Sequence, residues 1–396
     1  MRKLITFLGL SKYEETTYSW GEYEHKTPYF AEAVAVWLKP STSYVLLTPK
    51  AKESENWSEL QERLSKYTQV EAIDIPSGQS QKELQQIFSK IDEVVNSEDE
   101  LIFDITHGFR LLPLLTLLVI AYLRQVKNVR VERILYGAFE AKEAQDITPV
   151  FDLTHFVSLL DWLTAANIFM TTGDGSKLAA LMEETRKQAR KQAHQGSAPN
   201  PPKQLKTLAC SIREVSENLL ISRVKLLAES AQNLQSTLQE STLREKIQAW
   251  LPPLVPLFEQ IEKQYAEFTQ DDPPTQLRLI RWYEERGHLV QAYTLAREWL
   301  VNYELYRQGL WDSIDDRNAR EEVEEQLNKE ANRIREGDSE IGANQLATLW
   351  SDLRNYRNDI AHCGFRKGPL AVDKLRRRLQ KIIDDLELLW QQELSG

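Results

Sequence analysis

The feature that most restricts the fold is an alternation of short apolar runs with helical patterns, which stops near residue 155. The runs have the length of strands, and several are closed by Gly or Pro. The segments between them repeat apolar residues at helical spacing. Alternating strands and helices predict a doubly wound sheet with a parallel centre. The predicted strands are Leu4–Leu8, Tyr44–Leu47, Val70–Ile75, Leu101–Ile105, Val129–Tyr136 and, as a last one, Thr148–Phe151.

Strand signals are absent from Asp152 onward, and apolar residues then recur at helical spacing to the end of the chain. We therefore predict an α/β domain over residues 1–155 and an all-α region over residues 156–396. The polar and aromatic segment 11–27 is predicted to be a long loop after the first strand.

Composition excludes several classes of site. With two cysteines among 396 residues, neither a disulfide framework nor a four-cysteine zinc site is available, and the histidines show no metal-ligand spacing. We therefore expect no metal and no cofactor. The net charge of −10 means that any contact with nucleic acid must come from a local basic patch. No apolar segment is long enough to span a bilayer, so we expect a soluble, cytoplasmic protein that binds no membrane.

A polar turn follows the fourth predicted strand and precedes an apolar helix. It contains Thr106, His107, Gly108 and Arg110. Ligands of α/β sheets bind where parallel strands end, and the free N–H groups at a helix N-terminus favour phosphate. A hydroxyl, a glycine that allows close backbone approach and an arginine all suit a phosphodiester. The alternative interpretation is an ordinary connecting loop with a capping threonine.

A second polar group lies on the predicted helix Asn344–His362, which carries Arg357, Asn358 and His362. Arg357 and His362 are five positions apart, about 140° around a regular helix, so they cannot bind one metal from one face. An arginine that binds phosphate and a histidine that moves a proton suit the cleavage of RNA. The alternative is a solvated, charged helix end. The role of Glu298 also has two interpretations: it is either an acidic partner of the arginine or a solvated carboxylate.

The motifs together resemble one family. Asp104–Arg110 resembles the second ligand motif of CARF domains, which are CRISPR-associated Rossmann-like folds, and Phe7–Tyr13 with Tyr18 resembles the first. Arg357–His362 matches the Arg-x4-6-His pattern of HEPN ribonucleases. Both motifs, in this order and on this fold pattern, are typical of the CARF–HEPN ribonucleases of type III CRISPR systems.

The resemblance implies a homodimer, or a higher homo-oligomer, in which a cyclic oligoadenylate acts as allosteric activator. Cyclic tetra-adenylate is favoured over the six-membered ring. The activated HEPN dimer would cut single-stranded RNA without a metal. The residues that this resemblance assigns are Arg357 and His362 as catalytic, Asn358 as assisting, and Gly9, Ser11, Thr106, His107, Gly108 and Arg110 as lining the effector site. Opening of the activator ring by the sheet domain stays undecided.

Two other functions remain open. One is a nucleotide-sensing regulator or binding module whose helical half only dimerises or docks a partner. The other is a nucleotide-dependent enzyme that uses the sheet itself. The absence of Gly-x-Gly-x-x-Gly after the first strand, and of a P-loop, argues against the second.

Overall fold

The computed structural model describes residues 1–107, 112–142, 146–192, 202–250, 252–336 and 345–395. The chain divides into two compact units, Met1–Asp161 and Trp162–Gly396. Gly108 and Arg110 lie outside the described residues. The domain bounds 1–155 and 156–396 stay a prediction.

The first unit contains one eight-stranded sheet with the strand order β3-β2-β8-β7-β6-β1-β4-β5. Its five central strands, from β7 to β5, are mutually parallel, so the predicted fold class is confirmed. The strands are β1 Arg2–Phe7, β2 Thr16–Trp20, β3 Tyr23–Thr27, β4 Thr42–Leu47, β5 Gln69–Asp74, β6 Glu100–Asp104, β7 Arg130–Gly137 and β8 Ile147–Asp152.

The prediction of a long loop over residues 11–27 is wrong. Two strands of this segment, β2 and β3, form an antiparallel hairpin around Gly21, which has φ 60°. β2 also pairs in parallel with β8, and β8 is antiparallel to β7. The hairpin therefore extends the sheet beyond its parallel centre.

Helices cover both faces of this sheet because successive strand residues point to opposite sides. Ile5 and Phe103 pack into one cluster with residues of α4 and α5, whereas Leu4 and Ile102 pack into another with residues of α1. The helices of the first unit are α1 Phe30–Leu38, α2 Pro49–Lys52, α3 Glu55–Leu64, α4 Gln81–Val94, α5 Leu112–Lys127 and the start of α6 Thr154–Thr172.

The described part of the second unit is helical throughout. Its helices after α6 are α7 Ser176–Gln192, α8 Leu205–Leu220, α9 Val224–Gln239, α10 Ser241–Trp250, α11 Val255–Tyr265, α12 Pro273–Glu285, α13 Leu289–Arg307, α14 Arg317–Arg335, α15 Gln345–Ala361 and α16 Val372–Ser395. α15 packs against α13 and α14 through an apolar face at helical spacing that includes Leu346, Trp350 and Leu353. Across the described residues, no helix is both long and apolar enough to cross a bilayer.

Candidate functional site

The carboxyl ends of β1 and β6 lie side by side where the strand order reverses. β1 pairs with β4 on one side and with β6 on the other, and all three strands are parallel. In open α/β sheets, ligands bind in the crevice outside such a reversal. Gly9, which follows β1, and Thr106 and His107, which follow β6, lie at this edge.

A buried carboxylate at the end of β6 organises the turn. Asp104 is fully buried, and its Oδ2 accepts a hydrogen bond from the Thr6 hydroxyl at 2.7 Å. Its Oδ1 accepts the Thr106 N–H at 2.9 Å. The Thr106 oxygen in turn accepts the Gly137 N–H at 2.9 Å, which joins the ends of β6 and β7. These bonds hold Thr106 in place, and its hydroxyl proton has no acceptor among the described residues.

Tyr13 connects the loop after β1 to the turn after β6. Its ring meets the His107 ring edge-on, with centroids 4.5 Å apart, and its hydroxyl oxygen accepts the Gly9 N–H at 2.8 Å. A Cβ at Gly9 would lie 3.2 Å from that oxygen, so a side chain there would crowd the contact. Burial raises the pKa of Tyr13, so its phenol stays neutral.

His107 has an unused polar atom at the same place. Its Nε2 is buried and has no hydrogen-bond partner within the part of the chain that the structure describes. Burial lowers the pKa of His107, against an opposing effect of the Asp104 charge. The imidazole is therefore neutral near pH 7, and this nitrogen can bond a ligand.

The lowered pKa of His107 predicts a loss of stability in mild acid. Below the ordinary histidine pKa of 6.5, the unfolded chain takes up a proton at this position more readily than the folded chain. The stability contributed by neutral His107 is present above that pH and is lost as the pH falls. We expect His107→Gln to reduce the drop in unfolding free energy between about pH 7.5 and 5.5 by about 1 kcal/mol. Denaturant melts at both pH values measure this; equal drops in both proteins would contradict it.

The remaining predicted effector residues are less informative. Ser11 is exposed, and its carbonyl oxygen accepts a hydrogen bond from the Asn56 side chain at 3.1 Å.

Sequence reasoning missed Thr6 and gave Asp104 and Tyr13 no separate role. The available signal was a charged residue within an otherwise apolar strand, because a buried charge needs partners.

In the second unit, His362 terminates α15. The Gly364 N–H donates to the Asp359 carbonyl oxygen and the Cys363 N–H to the Ile360 carbonyl oxygen, both at 2.9 Å. This is the Schellman pattern, with Cys363 at φ 54° and Gly364 at φ 74° in the left-handed region. His362 is therefore the capping residue, and its side chain is exposed.

No hydrogen bond joins Arg357 directly to His362 among the described residues. Arg357 donates to Oδ1 of Asn358 at 3.2 Å, and the Asn358 carbonyl oxygen accepts the His362 N–H at 3.0 Å. Asn358 thus bonds both residues of the pair. Asp359, only 3% exposed, accepts the Leu370 N–H at 3.0 Å and fixes the turn beyond His362.

Glu298 belongs to an ion-pair network rather than to Arg357. Its carboxylate pairs with Arg297 at 2.5 Å and with Arg320 at 2.6 Å. Arg297 also stacks on the Trp350 ring, 4.7 Å from its centroid. The network joins α13, α14 and α15, so its charges are structural partners of one another.

A metal has no ready site in the described residues, where no three His, Cys, Asp or Glu side chains converge. The turn after β6 and the end of α15 instead offer hydrogen-bond donors that can bind phosphate, together with an imidazole.

Comparisons with known proteins assign the two parts of the chain. Residues 3–140 match the family model of the CARF domain of the CRISPR system endoribonuclease Csx1. Residues 158–272 match that of the second domain of CRISPR-associated protein MJ1674. Neither range reaches α15.

The protein MJ1674 of Methanocaldococcus jannaschii is itself 30% identical to this chain over 102 residues. Those residues are 26% of this chain and 16% of that protein, so the match spans a small part of the relative's length. The two matched domains, in this order and on this fold, show that the chain is a CRISPR-associated protein of the Csx1 family with an N-terminal CARF domain.

Proposed function

We propose that the protein is an endoribonuclease of type III CRISPR defence, switched on by a cyclic oligoadenylate and acting on single-stranded RNA. The observation that carries the proposal is that a Csx1-type CARF domain occurs in the same chain as α15, a helix that carries Arg357 and is capped at its C-terminus by the exposed His362. The first supplies a sensor and the second supplies the chemistry.

The sensor chemistry fits a ring of phosphodiesters. The hydroxyl proton of Thr106 and the unpaired Nε2 of His107 face no other described partner, and both can bond phosphate or base. Gly108 and Arg110, assigned from sequence alone, would add backbone N–H groups and a bidentate phosphate ligand. Cyclic tetra-adenylate is the activator we propose.

Association of two copies is supported by an exposed apolar stripe on α5. Leu114, Leu118, Tyr122 and Val126 recur every four residues on one side of the helix, and all four are exposed. A continuous apolar stripe of this kind marks an interaction surface. We propose a second copy of this chain as its occupant, because a homodimer would bring two copies of the sensor turn to one activator.

Cleavage would use the RNA's own hydroxyl as nucleophile. His362 would move the proton, either from the 2′-hydroxyl or to the leaving 5′-oxygen, while Arg357 stabilises the charge that grows on the phosphate. The phosphorus–5′-oxygen bond breaks as the 2′-oxygen bonds to phosphorus, which leaves a 2′,3′-cyclic phosphate. Because no hydrogen bond joins Arg357 to His362 among the described residues, we propose that two copies of the pair meet at a dimer interface.

An RNA cleavage assay with and without cyclic tetra-adenylate and cyclic hexa-adenylate tests the function. We expect cleavage of single-stranded RNA only with an activator, with cyclic phosphate ends. Cleavage should persist in EDTA, and single-stranded DNA, which lacks the 2′-hydroxyl, should stay intact. Binding of an oligoadenylate without any cleavage would favour a regulator instead.

Loss of the Thr106 hydroxyl should weaken activator binding. We expect Thr106→Val to raise the dissociation constant of cyclic tetra-adenylate by about 10- to 100-fold, because a hydrogen bond to a charged phosphate is removed. Thr106→Ser should stay near wild type, and Arg110→Ala should resemble Thr106→Val. Isothermal calorimetry measures all three.

The control for Arg110 is Arg130→Ala, which removes an exposed arginine paired with Glu100 where β7 begins, away from the sensor turn. If Thr106→Val or Arg110→Ala binds the activator as tightly as Arg130→Ala does, the residue replaced in that variant does not belong to the site.

A further inference from the structure

An open cleft of about 620 Å³ lies beside the Arg357–His362 segment. Its walls come from the last turns of α15, the turn after His362 and the exposed side of α16. The lining residues are Asn355, Tyr356, Arg366, Gly368, Leu370, Lys374, Arg377, Arg378 and Lys381. Five of the nine are lysine or arginine and none is acidic, in a chain whose net charge is −10.

The α16 residues of the cleft form a basic ladder. Lys374, Arg378 and Lys381 are separated by four and three positions, so they lie on one side of the helix at intervals of about one turn, roughly 5 Å. All three are exposed and have no salt bridge within 4.0 Å in the part of the chain that the structure describes, although Arg378 and Lys381 lie within electrostatic range of Asp352 on α15. Several unpaired cations in a row raise the local positive potential and suit a polyanion.

The cleft is tied to the segment that carries His362. Arg366 donates to Oδ1 of Asn355 at 3.0 Å and lies 3.8 Å from the buried Asp359 carboxylate. Asn355 and Tyr356 directly precede Arg357 along α15. The cleft therefore shares a wall with the last turns of the helix that carries Arg357, although Arg357 itself does not line it.

The turn after His362 carries an exposed aromatic ring. Phe365, between Gly364 and Arg366, is 88% exposed, and it makes no aromatic contact with a described residue. Stacking an exposed phenylalanine ring on another flat apolar surface is favourable because it removes the ring from water, and unpaired nucleobases provide such a surface. A basic groove with an aromatic platform beside it is the arrangement that binds single strands.

We propose that Lys374, Arg378 and Lys381 bind the phosphates of single-stranded RNA and that Phe365 stacks on one of its bases. The proposal rests on the ribonuclease function and deepens it by assigning the surface that leads the substrate to Arg357 and His362. Stacking needs an unpaired base, so the surface favours a single strand over a duplex.

The ladder is tested by binding of a short, fluorescently labelled 2′-O-methyl RNA, which lacks the nucleophile and stays uncut. Fluorescence polarisation is recorded over a range of salt concentrations, with and without cyclic tetra-adenylate. For the triple variant Lys374→Gln, Arg378→Gln, Lys381→Gln we expect at least about tenfold weaker binding and a salt slope shallower by about 2, since each lost phosphate contact removes about 0.7.

The matched control removes three charges elsewhere in the same unit. Lys206→Gln, Lys246→Gln, Lys263→Gln changes the net charge equally but leaves the cleft intact, because these lysines lie on α8, α10 and α11. Its affinity and salt slope should match wild type. A ladder variant that behaves like this control would overturn the proposal.

The platform is tested by Phe365→Leu and Phe365→Trp. Leucine keeps the apolar bulk without a flat ring and should weaken RNA binding by about 5- to 100-fold, whereas tryptophan should bind at least as well as wild type. Unchanged affinity in Phe365→Leu would overturn the stacking contact.

The two proposals fail in distinguishable ways. Activated RNA cleavage by wild type, together with full RNA affinity in the ladder variant, would overturn the binding surface and leave the ribonuclease standing. RNA binding that depends on the ladder, without cleavage under any activator, would overturn the ribonuclease and leave the surface standing.

Discussion

Replacing His362 by alanine is expected to lower the activator-stimulated rate of RNA cleavage by about 10²-fold or more, because the variant has no group to move the proton. The fold should be preserved. The His362 side chain is exposed, and the hydrogen bonds that end α15 come from backbone groups that alanine retains. Single-turnover cleavage of a labelled RNA at saturating cyclic tetra-adenylate gives the rate.

The His362 variant should still bind the activator with wild-type affinity, because the sensor turn lies in the other unit. A cleavage rate within about threefold of wild type would place proton transfer elsewhere, since a positioned general acid or base contributes at least about 10²-fold. The regulator hypothesis would then lead.

Replacing Arg357 by alanine should cost about 10²- to 10³-fold in the same assay, because the charge that develops on the phosphate loses its main counter-charge. Arg357→Lys should recover only part of this rate, since an ammonium cannot reproduce the planar, bidentate contact of a guanidinium. Comparing the two variants separates the need for charge from the need for geometry.

Arg354 provides the matched control for Arg357. It lies on the same helix three residues earlier, but its guanidinium donates to Oδ1 of Asn328 at 2.7 Å and so ties α15 to α14. Arg354→Ala should lower the unfolding free energy by about 1 kcal/mol and leave cleavage within a few-fold of wild type. Equal losses of rate in the Arg354 and Arg357 variants would mean that both act through the stability of α15.

Much of the fold could be predicted because buried parallel strands leave a simple signal. A run such as Leu101–Ile105, apolar except at Asp104, fits a strand covered by helices on each side. β2 and β3 lie at the edge of the sheet and carry polar and aromatic residues, so their alternation was weak. The two-residue connection Gly21-Glu22 was the usable sign of a hairpin, because glycine readily adopts its positive φ.

The positions of the candidate site residues were easier to predict than the contacts among them. Gly9 follows β1 and Thr106 follows β6, and from the sequence alone they predicted a turn suited to phosphate at this edge of the sheet. The bond from Thr6 to Asp104 could not be predicted, because it depends on the pairing of β1 with β6, which are far apart in sequence. Gly364 indicated the end of α15, whereas nothing in the sequence marked Cys363 as left-handed.

The strand order also restricts how two sheets can meet. The outermost strands are β3 and β5, and their outward-facing residues include Glu24, Lys26 and Asp74. Charged side chains on an edge oppose the docking of another strand, because pairing would strip them of water. Two sensor units therefore cannot readily fuse into one continuous sheet. We therefore expect the proposed self-association to use helical surfaces, while the charged strand edges oppose aggregation when the protein accumulates.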